Sequence, residues 1–413
     1  MSKMRTVTAT VNRSTRKALR VVIAPDKFKG SLSAPKVCNH LEIGLQRSAD
    51  TARISNLEVL RNPLADGGEG TLDAAVGSGF TRCSAVVAGP TGQPVTADFA
   101  IRGREAVIEM AAASGLSLLP VGALVAGRPG PVAARTATSL GTGQLIRAAL
   151  DAGCNRIILG VGGSANTDGG AGVLQGLGAK FLDSEGNELP SGGAALASLD
   201  RIDFSGFEPR LKDTRFVLAS DVDNPLLGAQ GAAAIFGPQK GATQQDVNML
   251  DAALARFVEV LATEIGHRAI KATEAPGAGA AGGVGYAAIA VLAATRRPGI
   301  DVVLEFTRLA ERLAGADLVI TGEGSLDEQS LLGKTPMGVA RAAAAHGVPV
   351  IAVCGHTSLT PEQQKDSGFR QVYSLTSMEP SVEVCILEAG SLLERLGEEL
   401  GAQLFHRFTT TAS

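Results

Sequence analysis

Short β-branched runs alternate along the chain with Ala- and Leu-rich stretches of helical period, the pattern of βα units that build parallel sheet. Residues 21–24, 156–159, 216–219, 318–321 and 348–353 predict buried strands, and the runs lead into polar loops carrying Gly, Ser or Asp. Such loops lie at the carboxyl ends of parallel strands, where open α/β sheets bind ligands. Residues 244–265 predict a helix: Val247, Leu250, Leu254, Phe257, Val258, Leu261 and Ile265 make an apolar stripe, and Thr243 with Asp246 makes a capping box. Thr335 before Pro336 reads as an N-cap opening a helix to about 346. Residues 382–404 predict one long amphipathic helix, and 286–294 a continuous apolar one. Irregular alternation between 80 and 110 suggests hairpins and the start of a second domain.

A length of 413 residues adds an expectation of two or three domains. The balance of 38 Lys plus Arg against 41 Asp plus Glu gives a net charge of −3, which excludes a polycation acting on nucleic acid or a membrane surface. With 13 Phe, 2 Tyr and no Trp, a stacking platform for single strands is also disfavoured. The stretch 277–294 is uncharged, but its first half is almost entirely Gly and Ala, so it reads as a buried segment of a soluble cytoplasmic chain, not a span. Five scattered cysteines without a C-x-x-C pair read as reduced thiols. The first eighteen residues are basic, rich in Ser and Thr and free of acids, and are expected to be a disordered tail.

Glycine is the compositional outlier, at 51 residues. Four clusters stand beside acids or hydroxyls: residues 66–71, 160–170, 277–285 and 322–325. Glycine lets backbone N–H groups approach an anion, and Mg²⁺ would reconcile the acids with a phosphate. Gly333-Lys334-Thr335 has the tail of a P-loop, but Glu328 occupies the position of its first glycine. Gly277, Gly279 and Gly282 match G-x-G-x-x-G without a preceding strand. Gly160, Gly162 and Ala165 match the alanine variant directly after one, with Asp183 following, so a dinucleotide site stays open. Lys27 and Lys29 follow the first strand, Lys334 adjoins a helix N-terminus, and Asp221 with Asp223 share one side of an extended segment.

The blocks APDKFKGSLSA (24–34), PLADGGEGT (63–71), GVGGSANTDGGAG (160–172), SDVDNPLLGAQGAA (220–233), FGPQKGA (236–242), GAGAAGGVGYA (277–287) and DLVITGEGSLDEQSLLGKTP (317–336) resemble the bacterial glycerate kinase family. The resemblance covers about residues 19–400. It implies ATP-dependent, Mg²⁺-assisted phosphorylation of D-glycerate, most often at the 2-hydroxyl. It also implies two α/β domains: a flavodoxin-like one with a parallel sheet from both chain ends (19–80 and 285–407), and a mixed α/β domain inserted at 81–284, with the active site in the cleft. Cytoplasmic action on small molecules, with a homodimer allowed, completes the expectation.

Phosphoryl transfer needs positioning and charge neutralisation above all. Lys27 and Lys29 are therefore expected at the glycerate carboxylate or γ-phosphate. Asp168 is the expected acceptor of the hydroxyl proton, while Asp66 and Asp221 serve as base or metal ligand. Glu69, Asp223, Glu323 and Asp327 are the expected metal ligands. Ser164, Asn166, Gly277, Gly279, Gly282, Gly322, Ser325 and Lys334 are expected to hold substrate or phosphate. The competing readings are an NAD-dependent dehydrogenase using the Gly160 loop and a non-enzymatic sugar-acid-binding protein.

Overall fold

A computed structural model describes residues 18–331 and 333–410. The expected basic tail lies, up to residue 17, outside the described residues. The strands, in chain order, are β1 (Leu19–Pro25), β2 (Leu57–Arg61), β3 (Thr81–Ala88), β4 (Pro94–Arg102) and β5 (Glu105–Glu109). A small hairpin, β6 (Leu124–Val125) and β7 (Arg128–Pro129), precedes β8 (Arg156–Gly160), and β9 (Lys180–Leu182) pairs with β10 (Arg201–Asp203). Then follow β11 (Arg215–Ala219), β12 (Thr295–Arg297), β13 (Leu318–Leu326), β14 (Val350–Thr357) and β15 (Gln371–Ser374).

One sheet has five strands in the order β15-β14-β13-β1-β2, all parallel. Numbered by their own succession this is 2-1-3-4-5, the flavodoxin order, whose ligand crevice lies where the order reverses, between β1 and β13. The second sheet runs β12-β11-β8-β5-β4-β3; the first four strands are parallel, and β5, β4 and β3 form the antiparallel meander expected for 80–110.

Period-two burial explains the layering. In β1, Val21 and Ile23 face helices Ala34–Thr51 and Ala389–Thr410, whereas Val22 and Ala24 face the other way. In β8, Ile158 points toward that same inner layer, while Ile157 and Leu159 pack with helices Leu140–Asp151 and Gln244–Ile265. The inner layer is shared: Leu72, Val302, Phe306, Leu313 and Val339, from helices, touch residues of both sheets in one apolar cluster. The result is five stacked layers, helix–sheet–helix–sheet–helix, and each buried Val, Leu or Ile in them contributes about 1.5–3 kcal/mol.

Three expectations shift. Residues 285–297, assigned by sequence to the first unit, belong with the second: helix Ala280–Ala290 packs in its core and β12 pairs with β11. Lys334, not Thr335, occupies the N-cap position of helix Thr335–Ala345 and makes no side-chain cap, while the Thr335 hydroxyl donates to Asp26 (2.8 Å). The C-terminal stretch forms two helices, Val382–Leu387 and Ala389–Thr410, broken at Glu388. The capping box of Thr243 and Asp246 forms in both directions. Among the described residues no helix is long and apolar enough to cross a membrane, and all five cysteines are free.

Candidate active site

The carboxyl ends of both sheets converge. Asp26 directly follows β1, and its N–H donates to Gly322 O of β13, at the crevice of the first sheet. Burial pushes the Asp26 carboxyl up to about 6; Lys27 opposes that shift and Asp66 adds to it. Its oxygens accept from the Lys27 N–H (2.6 Å) and from Thr335. Glu323, on β13, is raised to about 7 by burial, and Asp26 and Asp327 oppose its ionisation further while Lys334 favours it. Among the described residues its Oε1 is buried without a hydrogen-bond partner, although the nearby Ser330 hydroxyl favours the ionised form. Lys27 Nζ donates to Glu69 O (2.6 Å), and Lys27, Lys29, Glu69 and Asp73 line a depression of about 310 Å³.

On the other side of loop 63–71 lies a cavity of about 330 Å³, lined by Asp66, Gly67 and Gly68 of that loop, Val161–Ser164 after β8, Ser220–Val222 after β11, and Gln239, Lys240, Ala280 and Ala281. Asp66 Oδ1 accepts from Gly68 N–H and Asp221 Oδ1 from Gly299 N–H (2.8 Å). The Asp221 carboxyl is pushed up to about 6, first by burial and then by the negative charge of Asp66. Asp66 thus stands electrostatically between Asp221 and Asp26.

The floor of the cavity holds Lys240, only 2% exposed, in a 3₁₀ turn at Pro238–Lys240. Its Nζ donates to Ser164 Oγ (2.9 Å) and Asn166 O (2.5 Å). Burial lowers this ammonium to about 7 against the supporting charge of Asp168. Neither Lys240 nor Asp26 was singled out by sequence reasoning, although both lie in the blocks FGPQKGA and APDKFKG. The available signal was position: each charged residue stands in a glycine-flanked turn beside apolar residues.

Asp168 is a different matter. It is 1% exposed, and its two oxygens accept from Ser139 N–H and Oγ, Asn166 Nδ2, Gly170 N–H and Gly172 N–H. A carboxylate so fully engaged anchors the loop, and Asp168, the expected proton acceptor, is not among the residues lining the cavity. Asn166 is likewise turned inward, bonded to Asp168 and Ala281 O.

The expected metal ligands do not gather. Asp223 pairs with Arg296 (2.7 Å) with its side chain 76% exposed, Asp327 turns back on Ser330 to open the short helix Glu328–Leu331, and Glu69 faces the lysine-lined depression. Among the described residues no three His, Cys, Asp or Glu side chains are grouped to hold one ion. Gly277, Gly279 and Gly282 are packing glycines: a Cβ on each would meet Arg296, Pro225 O or Asn166 O respectively. Gly322 lies in β13 against Val353, Ser325 is exposed near the strand's end, and Lys334 precedes its helix, its charge felt by Glu323.

Gly162 shows what the glycine of the second cluster does. A Cβ there would lie 2.8 Å from Gly68 Cα, and one on Gly67 would lie 2.9 Å from Gly299 Cα. Loops from the two sheets therefore touch backbone to backbone, which brings Asp66 and Asp221 to one cavity.

Residues 21–405 match the family model described as the glycerate kinase family. The chain is 43% identical over 389 residues to the glycerate kinase of Bacillus subtilis (strain 168), covering 94% of this chain and 98% of that protein. It is 45% identical over 348 residues to the glycerate 2-kinase of Escherichia coli (strain K12), covering 83% and 86%. A crystal structure from Salmonella typhimurium LT2, provisionally described as glycerate kinase 2, superposes with a TM-score of 0.80 at 40% identity, covering 95% of this chain and 100% of that one.

Proposed function

The chain belongs to the glycerate kinase family, and from that premise we propose that it transfers the γ-phosphoryl group of ATP to the 2-hydroxyl of D-glycerate, in the cavity between the two units. The supporting observation is the pair Asp66 and Asp221, each with one oxygen held by a backbone N–H, lining a cavity of a volume suited to a small acid. Asp221 accepts the proton of the attacking hydroxyl. Its raised value, about 6, keeps it ionised at neutral pH yet basic enough to take that proton. ATP lies on the first unit, its phosphates reaching Lys27, Lys29 and Lys334 at the crevice between β1 and β13.

Mg²⁺ fits the residues present. Asp26, Asp221 and Glu323 are all raised by burial with carboxylate neighbours, and Glu323 Oε1 is a buried oxygen without a donor; a divalent cation would relieve each strain. It takes one or two carboxylates with phosphate oxygens completing its shell, so Glu323 and its charged neighbour Asp26 would hold it. When bound it would neutralise charge developing on the transferred group.

The dehydrogenase reading loses its support in the Gly160 loop, whose Gly160 and Gly162 are pressed on the backbone of Gly67 and Gly68 and leave no approach for a pyrophosphate. Adding D-glycerate to enzyme with ATP and Mg²⁺ should release ADP in a coupled assay, and phosphorus NMR should identify 2-phosphoglycerate. ADP release that ignores glycerate overturns the activity, and 3-phosphoglycerate overturns the position.

A further inference from the structure

Lys240 is the one cation among the residues lining the cavity, and it has no role in the transfer described above. A buried ammonium needs an anion or a full set of acceptors. Lys240 has two neutral acceptors, Ser164 Oγ and Asn166 O. Asp168 supports it only through space, since both its oxygens are taken up by Ser139, Asn166, Gly170 and Gly172. Arg135, on the helix Pro131–Thr136 packed against the same turn, is directed to Asp246 (3.7 Å). The remaining charges lining the cavity are Asp66 and Asp221. The cavity is therefore polarised: acids on the loops after β2 and β11, and one ammonium with a hydroxyl at the floor.

An α-hydroxy acid has the complementary polarity, with a carboxylate beside the hydroxyl that reacts. We propose that Lys240 and Ser164 bind the carboxylate of the substrate acid, so that the enzyme selects an acid over a neutral three-carbon polyol or aldehyde and takes up a proton as the acid binds. The inference rests on the reading that the cavity holds the phosphoryl acceptor. Proton uptake follows from the lysine's position: with its ammonium lowered to about 7, it is largely neutral at pH 8, and an anion 3 Å away restores the charged form. Ser164 then turns its hydroxyl proton toward the carboxylate while its oxygen still accepts from Lys240.

The test compares wild type with Lys240→Met and Ser164→Ala, using D-glycerate, glyceraldehyde and glycerol as acceptors. Lys240→Met should lower kcat/KM for D-glycerate by about 100-fold, the scale of a lost buried charge-assisted contact, and leave KM for ATP within about twofold. Its ratio of acid to aldehyde turnover should collapse. Ser164→Ala should raise KM for D-glycerate by about tenfold with kcat preserved, and it keeps the test alive should the lysine variant not fold. Calorimetric titration of wild type with D-glycerate at pH 8, in two buffers of different ionisation enthalpy, should report proton uptake, and KM for D-glycerate should rise above about pH 7 in wild type but not in Lys240→Met. Undiminished preference for the acid in Lys240→Met, or titration without proton uptake, overturns the proposal. A wild-type enzyme with no glycerate-dependent ADP release instead overturns the functional reading beneath it.

Discussion

Loop 63–71 separates two depressions of nearly equal volume, about 330 and about 310 Å³, whose chemistry differs in the way charge is held. The cavity toward the second sheet has one buried ammonium, Lys240, opposite two acids on loops that meet backbone to backbone. The depression toward the first sheet has two lysines in a polar loop, open to water and beside Glu69 and Asp73. Burial makes the charge in the first conditional on what enters, whereas the second holds its two lysines in a polar loop beside acids. A selective site for a small acid suits the former, and a grip on phosphates that must release suits the latter.

The largest effect should come from the cavity side. Asp221→Asn should lower kcat by about 10³ with no loss of melting temperature, because it removes both the proton acceptor and a repelled carboxylate. In wild type the same group should give kcat/KM an acid limb near pH 6, activity rising as Asp221 ionises. Next, Asp168→Ala should destabilise the fold by about 3 kcal/mol in chemical denaturation, since five donors lose their acceptor, while the folded fraction keeps kcat within about tenfold. A thousandfold drop with unaltered stability would return Asp168 to the chemistry. On the lysine side, Lys27→Met should raise KM for ATP by about tenfold and leave KM for D-glycerate unmoved, and equal changes in both would erase the division of labour between the depressions.

The smallest effect is on stability. The Glu323 carboxyl stands at about 7 in the folded chain against an ordinary 4.5. Between those values the unfolded chain releases a proton that the native chain keeps, so this group lowers stability as pH rises, and above pH 7 its full penalty applies. Glu323→Gln should therefore raise stability by about 1 kcal/mol at pH 8 and leave it unchanged at pH 4, checked by denaturation at both values.

The strands that bear the site were legible because they are buried on both faces and read as β-branched runs; Val21 to Ala24 and Arg156 to Leu159 could hardly be anything else. The helix of Gln244–Ile265 announced itself by stripe and capping box. The glycines were half legible. Their clustering marked the loops correctly, but a missing Cβ serves an amide cradle and a backbone contact equally, and only coordinates distinguish Gly162 on Gly68 from a phosphate loop. Asp168 reads as a site acid because its neighbours are the residues of an anion loop; that two of its five donors come from Ser139, 29 positions away, is tertiary information. Lys240 was invisible because a lysine in a turn ordinarily faces water. β12 is three residues long and carries two arginines, too short and too polar to read as a strand of the second sheet.

The parallel sheet of both chain ends also has a consequence in time. β1 is made before both of its neighbours: β2 follows within about thirty residues and pairs with one side of it, but its other side bonds to β13, and the Thr321 hydroxyl that reaches Ala24 O comes from 297 positions later. At ordinary rates of synthesis that interval lasts roughly 15 to 60 seconds. Throughout it this apolar, buried strand has one row of amides and carbonyls unpaired, while the second sheet, whose strands all lie in between, is free to form. The nascent chain is thus most exposed to faulty pairing through β1, whose far-side neighbour β13 is made only after the whole second sheet.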